Sequence, residues 1–222
     1  MKFDTQELCG SDKGRGFNMT TATGKPFWPA DPRPEDIRIK DIARHLSRIC
    51  RFNGALKESM FIEPSRTPAK AIVLGSNYTK GVEIVVEIYS VAQHSVLVCD
   101  HVEDPTLKLP ALLHDAAEAY CGDMTKPLKS LHPGRRMIEQ RIERAIEERF
   151  VLPKDIMKSP VIKEQDYRAV LTEHRDLQEN QGVDWGLEQA KAEPWPERIV
   201  PLLPSAAYRL FMDRFNQLYK GE

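Results

Sequence analysis

The sequence predicts an all-α fold with one small β-hairpin set into it. Two observations lead there. Apolar residues recur at helical spacing through most of the 222-residue chain. β-branched residues cluster only between about 55 and 88, where Ala71-Ile72-Val73-Leu74 and Val82-Glu83-Ile84-Val85-Val86-Glu87-Ile88 flank Gly75-Ser76-Asn77 and Lys80-Gly81. The length suits one domain.

Residues 1–25 are polar, glycine-punctuated and without hydrophobic period, and read as a flexible tail or a loosely docked arm. The domain proper is expected over 26–222. The prolines of Phe27-Trp28-Pro29-Ala30-Asp31-Pro32-Arg33-Pro34 forbid a helix, so this stretch is a lead-in that lays its aromatics on the domain. A helix is expected from about Asp36 to Phe52, striped by Ile39, Ile42, Leu46 and Ile49. Further helices are expected over about 90–102, 109–121, 134–150, 155–179 and 205–219. The prolines from Pro194 to Pro204 suggest an ordered wrap, because Trp195, Ile199, Leu202 and Leu203 are worth burying.

Composition excludes several classes. Lys plus Arg is 32 and Asp plus Glu is 33, a net charge of −1, which argues against a protein that coats polymeric nucleic acid. Cys9, Cys50, Cys99 and Cys121 lie far apart with no C-x-x-C pair, so neither a disulfide framework nor a cysteine zinc site is signalled. No run of 18 apolar residues and no apolar signal core is present. A cytoplasmic protein without membrane contact is expected, in the host cytoplasm if the gene is a phage's.

The informative segment is Leu112-Leu113-His114-Asp115-Ala116-Ala117-Glu118-Ala119-Tyr120-Cys121-Gly122-Asp123. Read as one short helix, it sets Glu118 at i+4 from His114 and i+3 from Asp115, so the three converge. A His-Asp pair offers borderline and hard donors to a divalent ion such as Mn, Co, Fe or Zn. A carboxylate one turn away could orient or deprotonate a water. Two ligands do not make a site. His94 shares an inward helical face with Val91, Val98 and Val102, and Asp166 and Glu173 lie on the apolar face of Ile162, Ala169, Val170 and Leu177. An acid on such a stripe is costly unless partnered. The candidate ligand set is therefore His94, His114, Asp115 and Asp166.

The spacing His…His-Asp…Asp resembles the HD-domain metal-dependent phosphohydrolases over about residues 26–54 and 89–219. Phe27-Trp28-Pro29, Leu46-Ser47-Arg48-Ile49-Cys50-Arg51-Phe52, Tyr89-Ser90-Val91-Ala92-Gln93-His94-Ser95 and the segment from Leu113 to Asp123 are similar to a branch with bacterial 5′-deoxynucleotidases and phage dATP triphosphohydrolases. The resemblance implies an HD-domain helical bundle, metal ligation by those four residues, and catalytic or phosphate-network roles for Glu118 and Asp123. It implies Arg51 at the phosphate and Phe52 against the deoxyribose, where relatives typically carry Trp. Lys126, three residues beyond Asp123, is a further phosphate candidate. The implied function is removal of phosphate from deoxynucleotides, with dATP to deoxyadenosine favoured. A general deoxynucleoside 5′-monophosphatase and a catalytically quiet nucleotide-sensing module are the competing readings. The implied cofactor is a divalent ion (Co, Mn, Zn or Fe), with room for Mg at a second site, and a homo-oligomer is expected. The insertion at 55–88 has no counterpart in the resemblance; a hairpin there suits a subunit arm better than a lid.

Other candidates have plainer readings. Cys121 is expected to pack rather than react. His45, His132 and His174 are expected at the surface and His101 is expected to be structural or exposed. Lys129 is by default a surface lysine. Glu173 is expected to pair with an arginine. The charged run from Arg135 to Arg144 is an amphipathic helix.

Overall fold

The computed structural model describes residues 14–57, 61–62, 84–85, 88–179 and 192–221. It is predominantly helical: α1 (Ile39–Leu46), α2 (Val91–His101), α3 (Pro105–Leu112), α4 (Glu118–Cys121), α5 (Lys126–Leu131), α6 (Pro133–Arg149), α7 (Pro160–Leu177) and α8 (Pro204–Leu218). Two short antiparallel pairs accompany them, β1 (Met19–Thr20) with β2 (Pro26–Phe27), and β3 (Phe61–Ile62) with β4 (Ile84–Val85).

The centre of the bundle is α2. Ser90 opens it, its Oγ accepting from the Gln93 N–H at 3.2 Å. Val91, Ala92, Val96, Val98 and Cys99 are buried all round it, as expected of a helix packed against α1, α3, α7 and α8. From α8, Ala207, Phe211 and Phe215 close the core. The wrap before α8 is ordered: Trp195 is buried and stacks on His101, with centroids 3.6 Å apart. Gln93 holds this wrap as a backbone would, its amide donating to Val200 O at 2.7 Å and accepting from Leu202 N at 2.8 Å.

Several boundaries differ from the sequence reading. The expected helix from Asp36 to Phe52 is shorter, with 3₁₀ turns at Pro34–Asp36 and Arg51–Gly54 on either side of α1. The second turn cannot continue a helix, because Phe52 and Asn53 sit at φ 57° and 53°. The expected helix over 109–121 is two helices. Pro110 falls inside α3 and removes a backbone donor, and α3 stops two residues later. From Leu113 to Ala117 the chain winds more tightly through i→i−3 bonds such as Ala116 N to Leu113 O and Glu118 N to Asp115 O, both 3.0 Å, before α4 begins. Gly122 does lie just past the helix end, at φ 77°, and Arg135 caps it by donating to the Cys121 and Gly122 carbonyls.

Residues 14–25 are docked rather than free. Thr23 donates to both carboxylate oxygens of buried Asp41 at 2.7 and 2.9 Å. His45 is not a surface residue: it is half-buried, accepts from Ala22 N–H at 3.0 Å on Nε2 and meets the Ala119 carbonyl through Nδ1. Within 55–88, the partner of 84–85 is 61–62, with Phe61 opposite Val85 and Ile62 opposite Ile84. The expected partner strand at 71–74 lies outside the described residues. Below β3 and β4, Arg51 N donates to Tyr89 O at 2.9 Å and Val91 N to Ile49 O at 3.0 Å, around a bridge between Cys50 and Ser90.

Candidate metal centre

Three stretches of chain bring the ligand candidates together. α2 supplies His94, the tight turn after α3 supplies His114 and Asp115, and α7 supplies Asp166. The Nε2 atoms of His94 and His114 face each other at 3.3 Å. Asp115 Oδ2 lies 3.5 Å from the first and 3.2 Å from the second. Asp166 Oδ1 lies 3.1 and 3.9 Å from the same two nitrogens. His94, His114 and Asp115 offer donor atoms that all lie within 4.8 Å of one another, a spread that a single cation can span.

The outer nitrogens fix which atoms are donors. His94 Nδ1 is 2.6 Å from Glu173 Oε1, and His114 Nδ1 is 2.8 Å from the Ala111 carbonyl. A carbonyl can only accept and a carboxylate readily does, so both Nδ1 atoms carry hydrogen, and with a cation in place of protons both Nε2 atoms would present lone pairs inward. Two imidazole lone pairs and two carboxylate oxygens thus converge. Such a set needs protons or a cation between its members. With protons alone, burial pushes His114 down but the Asp115 and Asp166 carboxylates and the Ala111 carbonyl more than reverse this, to about 9. Burial and Arg51 lower His94, yet Glu173 and Asp166 leave it raised. Burial alone would raise Asp115; His114, His94 and Arg51 hold it far below the usual carboxylate range. For Asp166, burial again raises, and the two histidines leave it lowered.

Arg51 is buried beside this cluster, with Nε 3.1 Å from Glu173 Oε2 and Nη1 3.5 Å from Asp115 Oδ2. Its guanidinium lies 5.3 Å from the ring centroid of Phe52, whose left-handed backbone turns the chain away immediately after Arg51. Glu118 is buried with Oε1 3.1 Å from Lys129 Nζ and with Oε2 unpaired. Burial, Asp115 and Asp123 push its carboxyl well above the usual range, against Lys129 and Arg51. Asp123 is half-buried just past Gly122, close enough to act on both Glu118 and Arg51. Lys126 is exposed, its ammonium 5.7 Å from the Tyr167 ring centroid. It is not bonded to the cluster.

Sequence reasoning missed two participants. Lys129 is a half-buried link between Glu118 and Glu139, at 3.1 and 2.9 Å, rather than a default surface lysine. The available signal was its i+3 spacing from Lys126 on the first helix after Asp123. Tyr89 is fully buried with its hydroxyl pushed up by burial and by Glu173. Glu173 finds the expected arginine in Arg51, and a histidine besides. Cys121 packs: burial pushes its thiol up to about 12 and it donates to the Ala117 carbonyl at 3.2 Å.

The fold and the cluster together define a helical protein with a candidate divalent-metal centre. No family model matches the chain. It is 36% identical over 200 residues to the uncharacterized protein YfdR of Escherichia coli, covering 90% of this chain and 94% of that one. The chain belongs to the YfdR family. It is also 32% identical over 138 residues to the uncharacterized protein RCAP_rcc00048 of Rhodobacter capsulatus, covering 59% of this chain and 56% of that protein. No helix among the described residues is long and apolar enough to cross a membrane.

Proposed function

We propose that this protein is an HD-domain metal-dependent phosphohydrolase that removes phosphate from deoxynucleotides, with deoxyadenylates as the favoured substrates and dATP taken to deoxyadenosine. The observation that carries the reading is the convergence of His94 Nε2, His114 Nε2, Asp115 Oδ2 and Asp166 Oδ1, with both Nδ1 atoms already used as donors. A divalent ion held by these four would supply Lewis acidity, lowering the pKa of a water and offsetting phosphate charge.

The remaining residues supply the other requirements. Hydrolysis at phosphorus forms one bond from water oxygen to phosphorus and breaks one from phosphorus to the leaving oxygen, a bridging phosphate oxygen while the polyphosphate is shortened and the sugar 5′ oxygen for the last phosphate. It needs a proton taken from the water and one given to the leaving oxygen. Glu118 has a buried carboxylate oxygen without a partner and a raised proton affinity, which suit it to take that proton and return it. Arg51 offers permanent positive charge to the phosphate from beside Asp115, and Asp123 and Lys126 would extend that phosphate network. Phe52 would lie against the deoxyribose. The working form is a homo-oligomer in the cytoplasm.

The test is a panel of dNTPs, dNMPs and ribonucleotides incubated with Mn²⁺- or Co²⁺-loaded protein, with products separated by chromatography. Deoxyadenosine from dATP supports the reading. Release only from monophosphates moves it to a 5′-monophosphatase. Metal and nucleotide binding without phosphate release moves it to a sensing module.

A further inference from the structure

Glu173 has no exposed surface, and it divides its two oxygens between different partners. Oε1 meets His94 Nδ1 at 2.6 Å, and Oε2 meets Arg51 Nε at 3.1 Å. Arginine–carboxylate pairs are frequently two-pronged. Here Arg51 gives Glu173 its Nε and turns Nη1 toward Asp115, 3.5 Å away. The circuit closes: Glu173 to His94, His94 to Asp115, Asp115 to Arg51, and Arg51 back to Glu173.

The origin of the arrangement is one helix. Asp166 and Glu173 are seven residues apart on α7, two turns, so they share a face. That face grips His94 at both nitrogens, Asp166 Oδ1 at 3.1 Å on Nε2 and Glu173 Oε1 at 2.6 Å on Nδ1. A cation drawing electrons from Nε2 makes Nδ1–H a stronger donor. The Glu173 carboxylate then gives more of its charge to His94 and less to Arg51, whose guanidinium is left more positive toward an incoming anion.

We propose that Glu173 is a positioning residue that couples the cation site at His94 to the anion-binding charge of Arg51, so that cation and phosphate each tighten the other's binding. This rests on the metal reading given above. Reciprocity is required: whatever factor phosphate adds to cation affinity, the cation must add to phosphate affinity.

The test measures Mn²⁺ dissociation constants by electron paramagnetic resonance of free Mn²⁺, with and without saturating inorganic phosphate. In the wild-type protein, phosphate is expected to tighten Mn²⁺ by at least about 5-fold, the low end of ordinary coupling. Glu173→Gln is expected to weaken Mn²⁺ by about 10- to 100-fold, as loss of a residue behind a metal-bound histidine does, and to reduce the phosphate effect to below about 2-fold. Because Glu173→Gln leaves Arg51 without its buried partner, the double variant Arg51→Met/Glu173→Gln is measured beside it. It strands neither charge and is expected to show the same Mn²⁺ loss. A wild-type protein that binds no Mn²⁺ overturns the metal reading and this coupling with it. A wild-type site whose affinity and phosphate response survive in Glu173→Gln overturns the coupling alone.

Discussion

Lys129 places its ammonium 3.1 Å from Oε1 of Glu118 and 2.9 Å from Oε1 of Glu139, so one cation joins the α4 carboxylate beside the His–Asp cluster to the middle of α6. Two acids are brought near each other only because the lysine stands between them. Lys129→Met is therefore expected to destabilise the fold by about 1–3 kcal/mol, less than for a fully buried pair because a third of the lysine side chain is exposed. Urea unfolding of Lys129→Met, Glu118→Gln and the double variant checks it. The double variant should recover most of the loss; additive losses would show that the two side chains do not interact.

The ligand and proton-transfer roles separate by metal content. His114→Ala and Asp115→Ala are expected to lose bound metal and turnover together. Glu118→Gln is expected to keep metal while turnover falls by about 10²- to 10⁴-fold, the usual weight of a general acid–base group. Elemental analysis beside a phosphate-release assay distinguishes the two patterns. Full metal occupancy in Asp115→Ala removes that residue from the ligand set, and loss of metal in Glu118→Gln makes Glu118 a ligand.

The convergence of His94, His114, Asp115 and Asp166 was more legible in the sequence than the elements that carry them. His94 and Asp166 stood out because polar residues on apolar helical stripes need partners, and both stripes are real. His114 and Asp115 were found for a partly mistaken reason. The sequence reading sets them with Glu118 on one continuous helix, whereas α3 stops at Leu112 and the pair sits in a 3₁₀-like turn. Convergence survived because i→i−3 winding also keeps neighbouring turns on one side. Lys129 and His45 were misread as surface residues because local pattern cannot report a partner distant in sequence: the His45 contacts lie 23 and 74 residues away. Of the left-handed pair, Asn53 before Gly54 carries a turn signature, whereas Phe52 carries none, since a phenylalanine rarely adopts that backbone.

Gln93 is expected to matter for stability without touching the reaction. Its amide replaces two backbone partners for the stretch from Val200 to Leu202. Gln93→Ala leaves one carbonyl and one N–H without partners, a cost of about 1–3 kcal/mol. Thermal unfolding should show a lower Tm, while the Mn²⁺ content of the folded protein stays at the wild-type level. Loss of metal would mean that the wrap also sets the position of His94.

Asp176 gives the fold a defined acid sensitivity. Burial alone would raise its carboxyl, but Arg175, the Ile199 N–H and Arg198 leave it lowered. A group lowered in the folded state adds stability above its unfolded pKa, and that stability fades as pH falls through the lower, folded value. Stability is thus expected to drop below about pH 4, the ordinary aspartate range, and Asp176→Asn should flatten this part of the profile. Urea midpoints between pH 3 and 7 test it. Parallel profiles for the two proteins would show that Asp176 does not contribute.

The bridge between Cys50 and Ser90 works as a clasp. The Arg51 and Val91 backbone bonds on either side of it close the chain between them at its neck, so the residues of the cluster are held independently of the segment from 55 to 88. Closing a loop costs free energy that grows only with the logarithm of its length, about 0.6 kcal/mol per doubling. Residues can therefore be added to or removed from the middle of this segment at little thermodynamic cost while Arg51 and His94 keep their places. A designer could graft a foreign segment onto the same clasp without rebuilding what lies beneath.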